Sequence, residues 1–511
     1  MKKLIFLLCL ALSGPALTSC ESFLDKNTDP NNPTSTTPNF LLPSIISNGL
    51  AIQGFSALRT AYITQYVAAR AAGAGGADQY VLTTAFSNAT FNNTFFLVGG
   101  NIPPMIKLAQ EEGSPYYVGA GKIMMALILS HATDMLGDIP YREAFRGELN
   151  YTPVYDPQQQ LYEDIQVLLD EGIAEMSKPV SENRRPFYSA LPSPSGDILY
   201  QGDVQKWIRL AWSLKARQAQ HLTKKAGLYN PATVLEYASK GFTSSTDDAQ
   251  LQFQVAVSPL MGTTNIFGPI RNNFAMATYG ANFLKFLNGA TYAGVIDPRL
   301  PIMATPTSTG ADPGRGGGPQ PPTATTDFYS SWYARDLGYE EIITYHELQF
   351  IKAEAAFLAN QKATALAAYR EGIRAHMAKI GTPTVSTSPA VTFPGITAAQ
   401  ITSYLNSSAV AQTEAQLASP SNPTLPQAIM QQKYIAMFLN PESWTDMRRY
   451  DFSAEIYPNL VYPVGANTVA AGQYPRRLLP AEREVVLNTA QVDKIGGLAP
   501  DFFIKKVWWD E

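Results

Sequence analysis

Cysteine is almost missing from this chain: Cys9 and Cys20 are the only two in 511 residues. Because Cys9 falls inside an N-terminal leader, Cys20 would stand alone in the mature chain, which excludes an intrachain disulfide and a thiolate-held metal. Histidine is nearly as scarce. His131, His221, His346 and His376 are the four, and none has the HExxH spacing of a helix-borne zinc pair. His131, Asp134 and Asp138 share one helical face, an arrangement that serves a buried imidazole meeting a carboxylate as readily as an acid, a base or a ligand. No nucleophile elbow is present. The run Pro313 to Gly318 lacks the Lys-Ser/Thr ending and the preceding strand of a phosphate loop. Charged residues make up only 16%, with a formal net charge of −4, so there is no basic footprint for nucleic acid. No cofactor or metal and no catalytic group is expected. A glycosidase carboxylate pair is defined by distance in space, which spacing along the chain does not give.

Long apolar runs are also lacking after the N-terminus, so no later segment is expected to span a bilayer. At the N-terminus itself, Lys2 and Lys3 precede the apolar run Leu4 to Leu12, and Leu17, Thr18, Ser19 and Cys20 fit a bacterial lipobox. Residues 1–19 are read as a lipoprotein signal peptide and Cys20 as the lipidated residue, which anchors the chain to a membrane without a transmembrane helix. Residues 20–40 are polar and Pro-rich and form a tether and entry segment. Within it Asp25, Asn27, Asp29 and Asn31 alternate like a calcium loop, but Pro30 and Thr36 stand where such a loop needs Gly and Glu. Residues 41–511 are read as one domain, since no later break has the character of a linker.

What is abundant is helical periodicity. From His346 to Met377 two helical halves are joined by Asn360, Gln361 and Lys362, a link long enough only for an antiparallel return. Small residues at Ala353 and Ala365, with Tyr369 and Gly372 four and seven positions on, have the spacing of a tetratricopeptide unit. Further helix pairs are expected from Tyr116 to Met176, with Asp156 and Pro157 capping the second member, and from Asp203 to Lys240. A single helix is expected from Gln427 to Phe438. Leu42 to Ala71 reads as helix interrupted near Asn48 and Gly49, and Leu251 to Val257 as a short strand. The predicted class is mainly α, with irregular tetratricopeptide-like hairpins, long loops and a few short β-hairpins.

Loops of this kind carry the candidate binding residues. A sugar lays its C–H face on an aromatic ring while amides meet its hydroxyls, with little need for net charge. Tyr80, Phe91 and Asn92 lie in one loop, Tyr279 and Asn282 in a second, and Tyr329, Trp332 and Tyr333 in a third. Each ring can alternatively serve as an anchor that pins its loop to the core. Trp444, Trp508 and Trp509 fall in or beside apolar segments and are read as structural.

Several motifs together resemble the SusD/RagB family of Bacteroidetes outer-membrane lipoproteins, in its second SusD-like branch. Asp134, Gly137, Asp138, Pro140, Tyr141, Glu143 and Ala144 are similar to a family turn. Trp207, Leu214, Lys215 and Arg217 resemble a family helix. The hairpin contributes Glu347, Phe350, Ile351, Ala353, Glu354 and Ala355, then Tyr369, Gly372 and Ile373. Gln432, Lys433 and Ala436, then Trp444, Arg448 and Arg449, and finally Arg476, Pro480 and Asn488 complete the order. The resemblance implies a surface-exposed outer-membrane lipoprotein that captures oligosaccharide, or peptide in the RagB type, as a lid over a SusC-like TonB-dependent transporter partner. It implies that the shared motifs are scaffold and that ligand residues lie in variable loops. A surface hydrolase is the alternative from a different class, and a purely structural adaptor another.

Overall fold

The computed structural model describes residues 36–71, 76–255, 263–304, 310–315, 327–387 and 390–511. The leader, Cys20, and the tether with its calcium-like alternation as far as Ser35 lie outside them. The described chain is mainly helical. Ten helices carry the scaffold: α1 (Pro38–Ile63), α2 (Ile102–Glu112), α3 (Pro115–Leu136), α4 (Gln158–Met176), α5 (Val204–His221), α6 (Pro231–Lys240), α7 (Tyr345–Leu358), α8 (Lys362–Ile380), α9 (Gln427–Ala436) and α10 (Glu442–Arg449). Their ends follow local chemistry. The Asp203 carboxylate accepts from the amides of Gln205 and Lys206 at the start of α5, and Asn230 caps α6 ahead of Pro231.

The three expected pairs form. α3 packs on α4, α5 on α6 and α7 on α8, while α4 meets α5 and α6 meets α7, so the pairs stack in series and α9 joins α7 and α8. This is the tetratricopeptide-like arrangement. At the tightest return, Asn360 adopts φ 58°. The Gln361 amide donates to Ala356 O at 2.8 Å and that of Asn360 to Phe357 O at 3.1 Å, the double bond pattern that closes a helix through one left-handed residue. Backbones approach where side chains vanish. A Cβ on Gly372 would lie 3.0 Å from the Phe350 ring, and one on Gly119 would lie 3.0 Å from Gly172 O.

Three expectations need correction. α1 runs unbroken through Asn48 and Gly49 and ends at Ile63, because a Cβ on Gly49 would come within 2.4 Å of Met124, and the glycine serves contact with α3 rather than a break. By length and composition α1 could cross a membrane, yet more than half of that apolar stretch is buried inside the fold. Asp156 does not cap α4. It accepts from the amides of Tyr141 and Arg142 at 2.8 and 2.9 Å, and the Gln158 amide goes to Asp138 at 2.9 Å instead.

Strand is sparse, and among the described residues it forms four two-stranded antiparallel ladders: β1 (Val67–Ala69) with β5 (Ala277–Tyr279), β2 (Tyr188–Ser189) with β3 (Ser195–Gly196), β4 (Ala249–Gln252) with β6 (Tyr339–Ile343), and β7 (Thr384–Thr387) with β8 (Ala390–Phe393). The strand foreseen near Leu251 therefore pairs with a segment far along the chain rather than in a hairpin. Among the described residues the main apolar core runs from Leu42 to Phe503, and a smaller cluster gathers Tyr162, Val507 and Trp509.

Candidate functional site

The motif residues turn inward. Arg217 makes two 2.7 Å bonds to Glu347, and Arg449 bridges Glu354 and Asp446, all buried. His221 lies between Asp134 at 3.3 Å and Glu442 at 3.0 Å. Burial opposes its charge, but the two carboxylates outweigh that and hold its pKa up at about 9. Asp134, His221 and Glu442 bring ligand atoms within 4.8 Å of one another, with the imidazole flanked by the two carboxylates as an ion cluster. Arg448 donates to the Asp134 carbonyl at 2.6 Å while stacking on Trp444 and Trp509, which ties the end of α3 to α10. His131 is also internal, whereas Asp138 lies beyond the end of α3, off the helical face expected to hold both, and is half-buried. His131 bonds Ser56 Oγ at 2.8 Å, and burial lowers its pKa to about 4.

Of the eight loop candidates, Tyr80, Phe91, Tyr279, Asn282, Tyr329 and Trp332 are buried, and Asn92 and Tyr333 half-buried. Tyr80 packs edge-on against Tyr462 at 5.7 Å, Tyr279 donates to Met303 O at 2.8 Å, and Asn282 donates to the Tyr434 hydroxyl at 2.9 Å. Trp332 lies under Arg335, 3.4 Å from its guanidinium, and Tyr333 meets His376 at 3.0 Å. As placed, these side chains anchor their loops. The physical cause is that a long loop is held by inserting its largest rings into the core.

The loops themselves converge on one face. The β1–β5 ladder joins residue 67 to 279, Gly314 N donates to Asp78 at 2.6 Å, and the Tyr329 hydroxyl donates to Asn272 at 2.9 Å. The open side of that face is built on α1, where half-buried Phe55 and Arg59 and buried Tyr62 follow one another at helical spacing. Arg59 lies 4.6 Å over the Phe86 ring, and Arg271 lies 5.7 Å over Phe55. Tyr62 meets Phe274 edge-on at 6.2 Å. Asn272, in a left-handed turn at φ 53°, and Asn273 are exposed beside them.

Arg59 is the residue out of balance. Burial lowers its pKa, and among the described residues it makes no hydrogen bond or ion pair. A guanidinium held over a ring, half-buried and with its donors unused, is a preorganised partner for a hydroxyl or carboxylate. Sequence reasoning passed over Phe55, Arg59 and Tyr62, because α1 reads as an ordinary core helix. Their i, i+4, i+7 spacing was the available signal.

A family model for SusD-like proteins, described as starch-binding and associating with the outer membrane, matches residues 30–479. A search of curated proteins finds no match. Solved structures share the fold. A SusD/RagB family protein from Bacteroides thetaiotaomicron is 22% identical with a TM-score of 0.71, covering 93% of this chain and 99% of its own. A chitin-binding protein is 21% identical with a TM-score of 0.65, over 92% and 99%. A chitin-binding SusD homologue from Flavobacterium johnsoniae is 19% identical with a TM-score of 0.65, over 92% and 98%.

Proposed function

The chain belongs to the SusD-like family, and on that premise we propose that it is a non-catalytic, lipid-anchored surface protein of the outer membrane that captures an oligosaccharide and hands it to a SusC-like TonB-dependent transporter. The family match over most of the chain carries this reading, and the stacked Arg59 and Arg271 supply its chemistry. Rings present C–H-accepting faces, and guanidinium and amide groups meet hydroxyls. The relatives that bind chitin support sugar as the ligand class. Lipidation at Cys20 supplies the anchor that holds the chain at the membrane of its transporter.

A second reading, peptide capture, is favoured by one observation: the unused donors of Arg59 also suit a peptide carboxylate. Calorimetry against starch-, chitin-, cellulose- and pectin-derived oligosaccharides and against short peptides separates the two. An oligosaccharide is expected to bind, and Arg59→Ala is expected to weaken it by about 1.5–3 kcal/mol, the worth of a hydrogen bond to a charged group. Peptide binding with silence towards every oligosaccharide overturns the sugar reading. Turnover of a bound glycan overturns the non-catalytic one.

A further inference from the structure

A concavity elsewhere on the molecule shares no residue with the face on α1. It is a cavity of about 390 Å³ between the segment Asn88–Val98, the turn after α3 and the helix Glu482–Leu487, a size within the range of small-ligand clefts.

The backbone around it is unusual in two places. Asn93–Val98 is a π-helix, a form that is rare and concentrated at functional positions. It places Phe95 inward, with its ring 4.4 Å from Phe91, and leaves Phe96 48% exposed. Phe145 adopts φ 62°, a left-handed conformation that residues with a side chain rarely take. Its ring stacks on Phe95 at 6.0 Å and occupies space that only Gly99 leaves open, since a Cβ there would lie 2.5 Å away. Tyr151, 74% exposed, stands at the opening.

One polar group interrupts this aromatic lining. Glu484 is 8% exposed. Its Oε2 accepts from the Tyr155 hydroxyl at 2.7 Å and the Asn488 amide at 3.1 Å. Oε1 has no partner among the described residues. A wholly apolar ligand would cover that oxygen and leave it unsatisfied, and an anionic one would be repelled by it. A flat ring that is apolar on its face and carries hydroxyls on its rim satisfies both parts.

We propose that this cavity is a second carbohydrate site, holding one pyranose with its face on Phe145, Phe96 and Tyr151 and donating a hydroxyl to Glu484 Oε1. The proposal rests on the glycan reading above. Titration of the full mature chain with the same oligosaccharides tests it, together with Tyr151→Ala, Phe96→Ala and Arg59→Ala. Tyr151 and Phe96 are exposed enough to be truncated without unfolding the chain, which a melting curve checks. The expected result is two binding events, one weakened by Arg59→Ala and the other by Tyr151→Ala or Phe96→Ala, roughly three- to tenfold for each stacking ring lost. A single event, or two events, with no response to the ring variants overturns the second site, and leaves the first standing where Arg59→Ala weakens binding; a single event that responds only to the ring variants upholds the cavity and overturns the face on α1. Silence towards every oligosaccharide overturns both.

Discussion

At the scale of single residues, the charges this chain buries are its most constrained feature. A buried ion pair returns little net stability relative to apolar packing, but removing one member strands the other in a medium of low dielectric. Glu442 shows the consequence. Burial pushes its pKa up, yet Arg217 and His221 outweigh that and hold it far below the usual carboxylate range. Replacement by Gln leaves Arg217 3.7 Å from a neutral amide and His221 with Asp134 as its one remaining carboxylate within ion-pair distance among the described residues. Glu442→Gln should therefore destabilise the fold by about 3–5 kcal/mol, read from urea unfolding at neutral pH. A loss below about 1 kcal/mol would mean that the cluster is solvated and that its charges are not interdependent. Because none of these side chains reaches the open side of α1, ligand affinity in the surviving folded fraction is expected to stay put.

At the scale of elements, the hairpins were legible and the placement of the loop side chains was not, for the same reason. Helix pairing is written locally. Ala353, Ala365, Tyr369 and Gly372 lie within twenty residues, and their spacing alone states which faces meet. Gly372 is the sharpest case, since its missing side chain accommodates the Phe350 ring. Gly372→Val should cost about 1–3 kcal/mol by overpacking. Phe350→Leu in the same chain should recover part of it, so a double-mutant cycle in which the two losses simply add would refute the contact. The candidate face on α1 depends instead on partners far apart in sequence. Arg59 meets Phe86, Phe55 meets Arg271, and Tyr80 is buried by Tyr462 and Tyr474. Whether a loop tyrosine faces solvent or core depends on which distant ring lies opposite, and single-chain periodicity carries no information on that. The same holds for Asp156, whose carboxylate turned back to the 141–142 amides instead of capping the helix it precedes.

At the scale of the whole molecule, the buried titratable groups set a pH window for stability. On the alkaline side, His221 is held up at about 9 against an ordinary 6.5, so its contribution is complete below pH 6.5 and lost as pH rises through 9. Glu340, raised by burial to about 8, acts in the same direction, because the fold prefers its protonated form and is increasingly penalised above pH 4.5. On the acid side, burial lowers His131 to about 4 and holds His346 and His376 well below their usual value. Such groups stabilise the fold above pH 6.5 and withdraw that support as pH falls. Glu354, held at about 2 because Arg449 and its other partners outweigh burial, adds a further loss below pH 4.5. The arms cross near pH 6.5, and each tenfold difference in proton affinity between the folded and unfolded chain is worth about 1.4 kcal/mol. Urea midpoints measured from pH 4 to 9.5 should therefore trace a dome with its top near pH 6.5. In Glu340→Gln the alkaline arm should become shallower between pH 6.5 and 8, while the fall through pH 9 persists because His221 is untouched. A midpoint that climbs steadily from pH 6.5 to 9 would show that the imidazolium is not what joins Asp134 to Glu442.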